Sequence, residues 1–210
     1  VTHCWSNLFV DLLAAIVADA LDENEYGMIA LLLVSDVDML QEWIDSAGVG
    51  QRSYWVCAFA VNQHAGICGE NLYQRCDTVS RQAYPECRCG LPKCFNTTPP
   101  LMGGHGVDCE MNKFEDMMLL LSAESGTFSQ LVVVDGRFEV FKRIWCIAEI
   151  SAAHSAGMSQ SLLLPSRRVI KEHADDLKEL RVANATSSRE QDKHDILVRI
   201  GDHDAFDKKL

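Results

Sequence analysis

Four cysteines in the middle of the chain are of a residue type that holds metal ions. Thiolates bind Zn²⁺ in tetrahedral sites at about 2.3 Å, and such a site can fold a loop that lacks a core. The spacing here gives Cys-x-Cys but no Cys-x-x-Cys pair, so thiols without a metal are the alternative. The predicted ligands are Cys76, Cys87, Cys89 and Cys94, with Cys109, His64 and His105 as further donors.

Glu149 is a second candidate for chemistry. It lies four residues after Trp145, so the two side chains share a face of the predicted helix, and the Trp should turn that face toward the protein. A carboxylate in that position needs a polar neighbour, because an unpaired buried charge is costly. The alternative is an exposed helix carboxylate, which is the usual fate of Glu. The expected partners are His3, His64 and Arg137.

Short apolar segments alternate with amphipathic helices along the chain. Alternation of this kind predicts a parallel sheet, here of about five strands, with helices on both faces. The predicted strands are Val1–Cys4, Tyr54–Val61, Leu131–Val134, Ser161–Leu164 and Arg181–Ala185. The predicted helices are Leu8–Leu21, Met28–Ala47, Met111–Ser122, Lys142–Ala156, Val169–Leu180 and a last one from about Ser187 to Ile200.

Polar residues follow three of the predicted strands. They are the groups His3–Ser6, Asn62–His64 and Asp135 with Arg137. Ligands of open α/β sheets bind beyond the carboxyl ends of the strands, so we expect these groups to share one cleft with Glu149. Residues 65–110 have no regular period and read as a Cys-rich insertion within a single domain that spans residues 1–210.

The order of these features resembles a TIR domain. Thr2–Ser6 with Phe9 is similar to the opening strand, loop and first helix of that family, and Val132–Glu149 is similar to its third strand and helix. Plant members read Trp-Cys-any-any-Glu-Leu where this chain has Trp145–Ile150. The resemblance implies a flavodoxin-like fold. It also implies cleavage of NAD to nicotinamide and an ADP-ribose product in signalling or stress response, with Glu149 as the catalytic carboxylate.

A TIR-like enzyme would need a pocket for NAD beside Glu149. An aromatic ring such as Trp5 could stack on the nicotinamide. The resemblance also implies that copies of the chain associate with one another. One alternative is a non-catalytic TIR-like adaptor that acts by self-association, with or without zinc. Another is a zinc-stabilised binding module whose insertion recognises a partner. The residues expected to bind NAD are His3, Trp5, Asn62, His64 and Arg137.

Composition limits the remaining classes of function. The net charge of −11 argues against a nucleic-acid binder, because phosphate contacts need clustered Lys and Arg. No apolar run approaches the roughly 20 residues of a membrane span, and no signal peptide is visible. We therefore expect a cytoplasmic location with reduced thiols. The chain begins with Val1 in what reads as a strand, so it is expected to be a piece of a longer protein.

Overall fold

The computed structural model describes residues 1–61, 63–66, 68, 69, 71, 74, 76, 77, 79–92, 113–188 and 190–208. The chain divides into two compact units. Unit 1 consists of residues 1–55 and 127–210, and unit 2 consists of residues 56–126. Unit 1 contains the sheet and most of the helices, and unit 2 contains the Cys-rich segment.

The helices and strands follow one another in mixed order. Unit 1 contains α1 (Phe9–Ala20), α2 (Gly27–Ser35), α3 (Val37–Ala47), β1 (Ser129–Val133), α7 (Ile144–Ser155), β2 (Ser159–Leu163), α8 (Arg167–Glu172), α9 (Ala174–Lys178), α10 (Glu190–Ile200) and α11 (His203–Asp207). It also contains short 3-10 turns at Glu139–Phe141 and Val182–Asn184. Unit 2 contains α4 (Cys57–Ala60), α5 (Gln63–Gly66) and α6 (Lys113–Glu124).

The two strands pair in parallel, in a register that runs from Ser129 opposite Ser159 to Val133 opposite Leu163. Parallel neighbours need a crossover connection, because the chain must return to the same end of the sheet. Here the 3-10 turn at Glu139–Phe141 and α7 form that connection. The result is a βαβ unit at the centre of unit 1.

β1 is covered on both faces. Val132 and Val134 belong to a buried cluster with Cys146 of α7, and neighbouring strand residues point to the opposite face. That opposite face carries Leu131 and Val133, which are also buried, and α1 contacts both strands. A strand enclosed in this way reads as a continuous apolar run, which is the pattern of this segment.

Single backbone bridges extend the sheet on each side. Thr2 pairs in parallel with Val132, and Glu25 pairs in parallel with Leu164. Gly27 then donates its N–H to the Pro165 carbonyl oxygen at 3.0 Å, and a Cβ atom at position 27 would collide with that oxygen. This close approach requires glycine at the start of α2.

The expected flavodoxin-like sheet of about five strands is wrong. Within the described residues, the sheet has only β1 and β2, with the single bridges at its sides. The predicted strand Tyr54–Val61 instead contains the short helix α4, and Phe59 is 68% exposed, so this segment is not enclosed on both faces. The predicted strand Arg181–Ala185 contains a 3-10 turn instead.

Some helix boundaries also differ from the prediction. The single helix expected over Met28–Ala47 is two helices, because Asp36 leaves the helical conformation and its carboxylate accepts the Met39 N–H at 3.1 Å, capping α3. The expected helix Lys142–Ala156 is present as α7. None of the helices in the described ranges is long and apolar enough to cross a membrane.

His173 joins α8 and α9 to the loop that follows β1. Its ring stacks on Phe138 with 4.8 Å between centroids, and its nitrogens lie 2.6 Å from Asp176 Oδ2 and 3.1 Å from the Gly136 carbonyl oxygen. The hydrogen bond with Asp176 raises the pKa of His173 above its ordinary value. The same contact lowers the pKa of Asp176. Between the two pKa values, both groups are charged and the contact is strongest.

We expect the stabilisation by this pair to fade as the pH rises. Folding raises the pKa of His173, so its contribution is complete below the ordinary value of about 6.5 and is lost as the pH passes the folded value. Asp176→Asn should lower the thermal midpoint more at about pH 5.5 than at about pH 8.5. Asp175→Asn, a change at an exposed carboxylate paired with Lys178, is the control and should show no such trend. A pH-independent difference for Asp176→Asn would contradict the assignment.

Candidate functional site

Four metal-binding side chains of unit 2 lie together. They are His64, Cys68, Cys87 and Cys89, and one ligand atom from each lies within 4.8 Å of all the others. Cys68 and Cys89 have their sulfurs 3.6 Å apart, and the Cys87 sulfur lies 3.3 Å from His64 Nδ1. The cluster can therefore hold a metal ion. We refer to it as the His-Cys₃ cluster.

The chain reaches this cluster by folding back on itself. α5 presents His64, and Cys68 follows one helical turn later with its N–H bonded to the Gln63 carbonyl oxygen at 2.9 Å. The returning segment is aligned by the Cys87 N–H, which donates to the Gly69 carbonyl oxygen at 2.9 Å. These two backbone hydrogen bonds place Cys68 beside the Cys-x-Cys pair, although nearly twenty residues separate them in sequence.

A tight turn at residues 77–82 makes the reversal. The Asp77 carboxylate accepts the backbone N–H groups of Val79 and Ser80 at 3.1 and 2.6 Å, which is the local bonding by which Asp favours turns. Beyond the turn, Cys76 and Ala83 form an antiparallel bridge. The turn therefore closes a hairpin-like loop whose open end holds the His-Cys₃ cluster.

Two of the donor–donor distances match a tetrahedral metal site. With Zn–S of about 2.3 Å and Zn–N of about 2.0 Å, tetrahedral geometry puts two sulfurs about 3.8 Å apart and a sulfur and a nitrogen about 3.5 Å apart. The observed 3.6 and 3.3 Å are each close to these values. A disulfide would instead need sulfurs about 2.05 Å apart. These two distances are compatible with ligands around a common centre, and the remaining donor pairs lie within 4.8 Å of one another.

Hydrogen bonds tune the thiols of the cluster. The backbone N–H of Leu91 stabilises the Cys89 thiolate and lowers the pKa of Cys89 to about 6. The backbone N–H of Cys89 acts on Cys87 in the same direction, but the thiols of Cys68 and Cys89 and partial burial outweigh it, so the pKa of Cys87 is raised. One thiol is thus prepared as a thiolate, the form in which cysteine binds metals.

The described side chains around the cluster form no hydrophobic core. Among the residues between 63 and 92 whose side chains the structure describes, none is buried, and Val79, Tyr84 and Leu91 are 74, 46 and 50% exposed. Burial of these described side chains therefore contributes little to holding their segment in one conformation. Its local order depends on the turn, on a few backbone hydrogen bonds and on whatever joins the four donor side chains.

The cluster contains two of the four cysteines that the sequence predicts as ligands. Cys87 and Cys89 belong to it, whereas Cys76 is exposed and its sulfur lies 3.6 Å from the Gln74 carbonyl oxygen. Cys94 lies outside the described residues. Cys68 was missed by the sequence reasoning, although its position four residues after His64 is the one-turn spacing by which a helix presents two ligands together.

Glu149 is buried on the inner face of α7. It is 8% exposed, and its Oε2 accepts the Thr2 hydroxyl at 2.5 Å. Thr2 in turn accepts from Gln130 Nε2 at 2.8 Å, and Gln130 Oε1 accepts from Gln160 Nε2 at 2.7 Å. Side chains from both strands and from the Thr2 bridge therefore form one chain of hydrogen bonds that ends on the carboxylate.

The residues expected to bind NAD have separate surroundings. Trp5 is 44% exposed, and Arg137 is exposed, with its N–H bonded to Asp135 Oδ1 at 2.9 Å. His64 belongs to the His-Cys₃ cluster of unit 2. Asn62 lies outside the described residues. Burial lowers the pKa of His3 to about 4, so its ring is neutral at physiological pH.

The hydrogen-bond chain on Glu149 gives a prediction about stability. Thr2→Val removes the hydroxyl that joins Gln130 to Glu149, and loss of such a buried partner costs about 1–3 kcal/mol. Thr2→Ser keeps the hydroxyl and should cost less than about 1 kcal/mol. Urea denaturation of the two variants and of the unmodified protein measures the difference. Equal stabilities of the Val and Ser variants would show that these hydrogen bonds contribute nothing to the free energy of unfolding.

Comparisons with known proteins supply no family for this chain. No protein-family model, no curated protein and no solved structure matches it. The resemblance to TIR domains therefore stays a prediction from the sequence. The function has to be inferred from the geometry of the described side chains.

Proposed function

We propose that unit 2 is a zinc-binding module in which the His-Cys₃ cluster holds one structural Zn²⁺. The observation that carries this proposal is the convergence of His64, Cys68, Cys87 and Cys89, whose ligand atoms all lie within 4.8 Å of one another. Convergence of four such groups, where none of the described side chains of residues 63–92 is buried, is unexpected unless something binds them. A metal ion is what these donors bind in common.

The donor set selects zinc among the common metals. Three thiolates and one imidazole form a soft, tetrahedral set, which suits Zn²⁺, whereas Mg²⁺ and Ca²⁺ require oxygen ligands. Four protein ligands fill the coordination sphere. Catalytic zinc sites keep one position open for water or substrate, so a four-ligand site has a structural role.

The zinc ion replaces a hydrophobic core in this segment. Binding of zinc to thiolates releases enough free energy to fold small modules that are unfolded without it. Joining Cys68 to Cys87 and Cys89 closes the loop around the turn at residues 77–82. The exposed side chains of Val79 and Tyr84 are then held in a fixed arrangement, which is what a module that contacts a partner requires.

The metal content of variants tests the proposal. The purified protein should contain about one zinc per chain, measured by mass spectrometry of metals after dialysis. Cys68→Ser and Cys89→Ser should weaken zinc binding by more than the roughly 10–100-fold that loss of an outer hydrogen-bond partner costs. Cobalt substitution should add visible bands typical of tetrahedral thiolate coordination, and these bands should be missing from both variants.

Cys76→Ser is the matched control, because Cys76 is an exposed cysteine of the same segment but lies outside the cluster. It should keep the zinc content and the cobalt spectrum of the unmodified protein. Chelation should make residues 63–92 more susceptible to protease without lowering the thermal midpoint of unit 1. Protein without zinc or cobalt affinity, or equal losses in Cys76→Ser and Cys68→Ser, would refute the proposal.

NAD cleavage, implied by the resemblance to TIR domains, is the second candidate function. The observation that supports this candidate is the position of Glu149 on the helix after β1, in a polar environment that includes Thr2. Because the carboxylate is 8% exposed, catalysis would require α7 or the Thr2 segment to move and admit the ribose. The zinc proposal requires no such movement.

Nicotinamide release at high protein concentration tests this second candidate. If Glu149 is catalytic, Glu149→Gln should lower the rate by at least about 100-fold, because the charge that stabilises an oxocarbenium-like transition state is lost. Thr2→Ser, which keeps the hydrogen bond to position 149, is the control for folding. A protein that releases no nicotinamide, or a Glu149→Gln variant with full activity, would eliminate the candidate.

A further inference from the structure

One face of α2 is apolar and uncovered. In this helix, all of whose residues the structure describes, only Ile29 is buried, whereas Met28, Leu31 and Val34 are 64, 59 and 77% exposed. These three residues, spaced three apart, form a continuous stripe that we call the α2 face. A helix that is hydrophobic on all sides is normally buried on all sides. The α2 face therefore lacks the covering that its sequence calls for.

α3 borders the α2 face with two kinds of side chain. Val37 at its start is 57% exposed, and α3 packs against α2, so the apolar surface continues across the junction. The outer side of α3 is acidic. Asp38, Glu42 and Asp45 are exposed and follow the i, i+4, i+7 spacing of one helix face. An apolar strip and an acidic strip thus lie on adjacent helices.

The surrounding sequence contains no positive side chain. Residues 1–51 include nine carboxylate residues and no Lys or Arg, which gives a charge of −9 out of −11 for the chain. Asp22 and Glu25 pair with Arg52 and Arg167. Across the described residues, by contrast, no cation lies within ion-pair distance of the acidic groups on α3. The nine carboxylate residues of this stretch are Asp11, Asp19, Asp22, Glu23, Glu25, Asp36, Asp38, Glu42 and Asp45.

We propose that the α2 face and the acidic strip of α3 together form a docking surface for a basic amphipathic helix of a partner protein. The apolar side of such a helix would cover Met28, Leu31 and Val34, and its Lys and Arg side chains would meet Asp38, Glu42 and Asp45. Helix-in-groove recognition uses this combination of apolar anchors and complementary charge. The proposal is independent of zinc binding, because its residues all belong to unit 1.

Charge distinguishes this partner from the other molecules that could cover an apolar face. A second copy of the chain would bring two surfaces of the same negative charge together, which is unfavourable across a symmetric contact. Anionic membranes attract basic segments and repel acidic ones. A basic helix is the occupant that satisfies both the apolar stripe and the acidic strip.

Binding of a designed peptide tests the proposal. The probe is a labelled helical peptide of Leu and Lys, with Leu at i, i+3, i+4 and i+7, and the readout is fluorescence anisotropy at moderate salt. Leu31→Ser with Val34→Ser should weaken its binding at least about tenfold, which corresponds to loss of one anchor. Asp38→Asn with Glu42→Gln should also weaken binding and reduce its dependence on salt.

Val198→Ser with Ile170→Ser is the matched control, because these apolar side chains of unit 1 are also exposed, at 66 and 43%. It should leave the affinity unchanged, and a peptide with Glu in place of Lys should bind at least about tenfold more weakly. An equal loss of peptide affinity in Leu31→Ser with Val34→Ser and in the control Val198→Ser with Ile170→Ser would overturn the proposal. Two other results would also overturn it. One is a dimer of the unmodified protein, seen in sedimentation, that the Leu31→Ser with Val34→Ser variant no longer forms. The other is tighter binding of the protein to phosphatidylserine vesicles than to the peptide.

Discussion

The parallel pairing of β1 with β2 is the constraint on which unit 1 depends. Two parallel strands in sequence need a helix to cross between their ends, and α7 takes that position. α7 then has to bury the face that lies over the sheet, including Glu149. A carboxylate buried there needs a donor, and the Thr2 hydroxyl is one. Thr2 in turn accepts from Gln130 of β1, and Gln130 accepts from Gln160 of β2. The polar side chains of Gln130 and Gln160 are therefore connected, through Thr2, to the carboxylate that the crossover helix buries.

The same constraint explains which part of the fold the sequence could predict. Val132 and Val134 belong to an apolar run that a two-sided strand requires, and the helical pattern after it leads to a single crossover. Tyr54–Val61 has a similar composition, yet contains α4. Aromatic and β-branched residues favour a strand only where a neighbouring strand offers backbone partners, and composition does not reveal whether one is present.

The His-Cys₃ cluster could be predicted only in part for a related reason. Cys87 and Cys89 are only two residues apart in sequence, so the sequence can predict them as a pair of ligands without the fold. Cys68 becomes their neighbour only because Asp77 fixes a turn in the intervening segment. Glu149 shows the converse case. Its spacing from Trp145 correctly indicates an inward face, but the partner, Thr2, is distant in sequence and is brought near by strand pairing alone.

The two units thus reach order by different physical means. In unit 1 the apolar residues of β1 and most of those of α7 are buried, so burial orders this βαβ unit. In the described part of residues 63–92, no side chain is buried, and four donors converge instead. If the proposed zinc ion binds there, order of this kind changes with metal supply while the sheet stays intact. The α2 face is a third case, in which burial remains incomplete until another helix covers it. The proposed metal and the proposed partner helix involve residues of different units, so each proposal has its own variants and its own test.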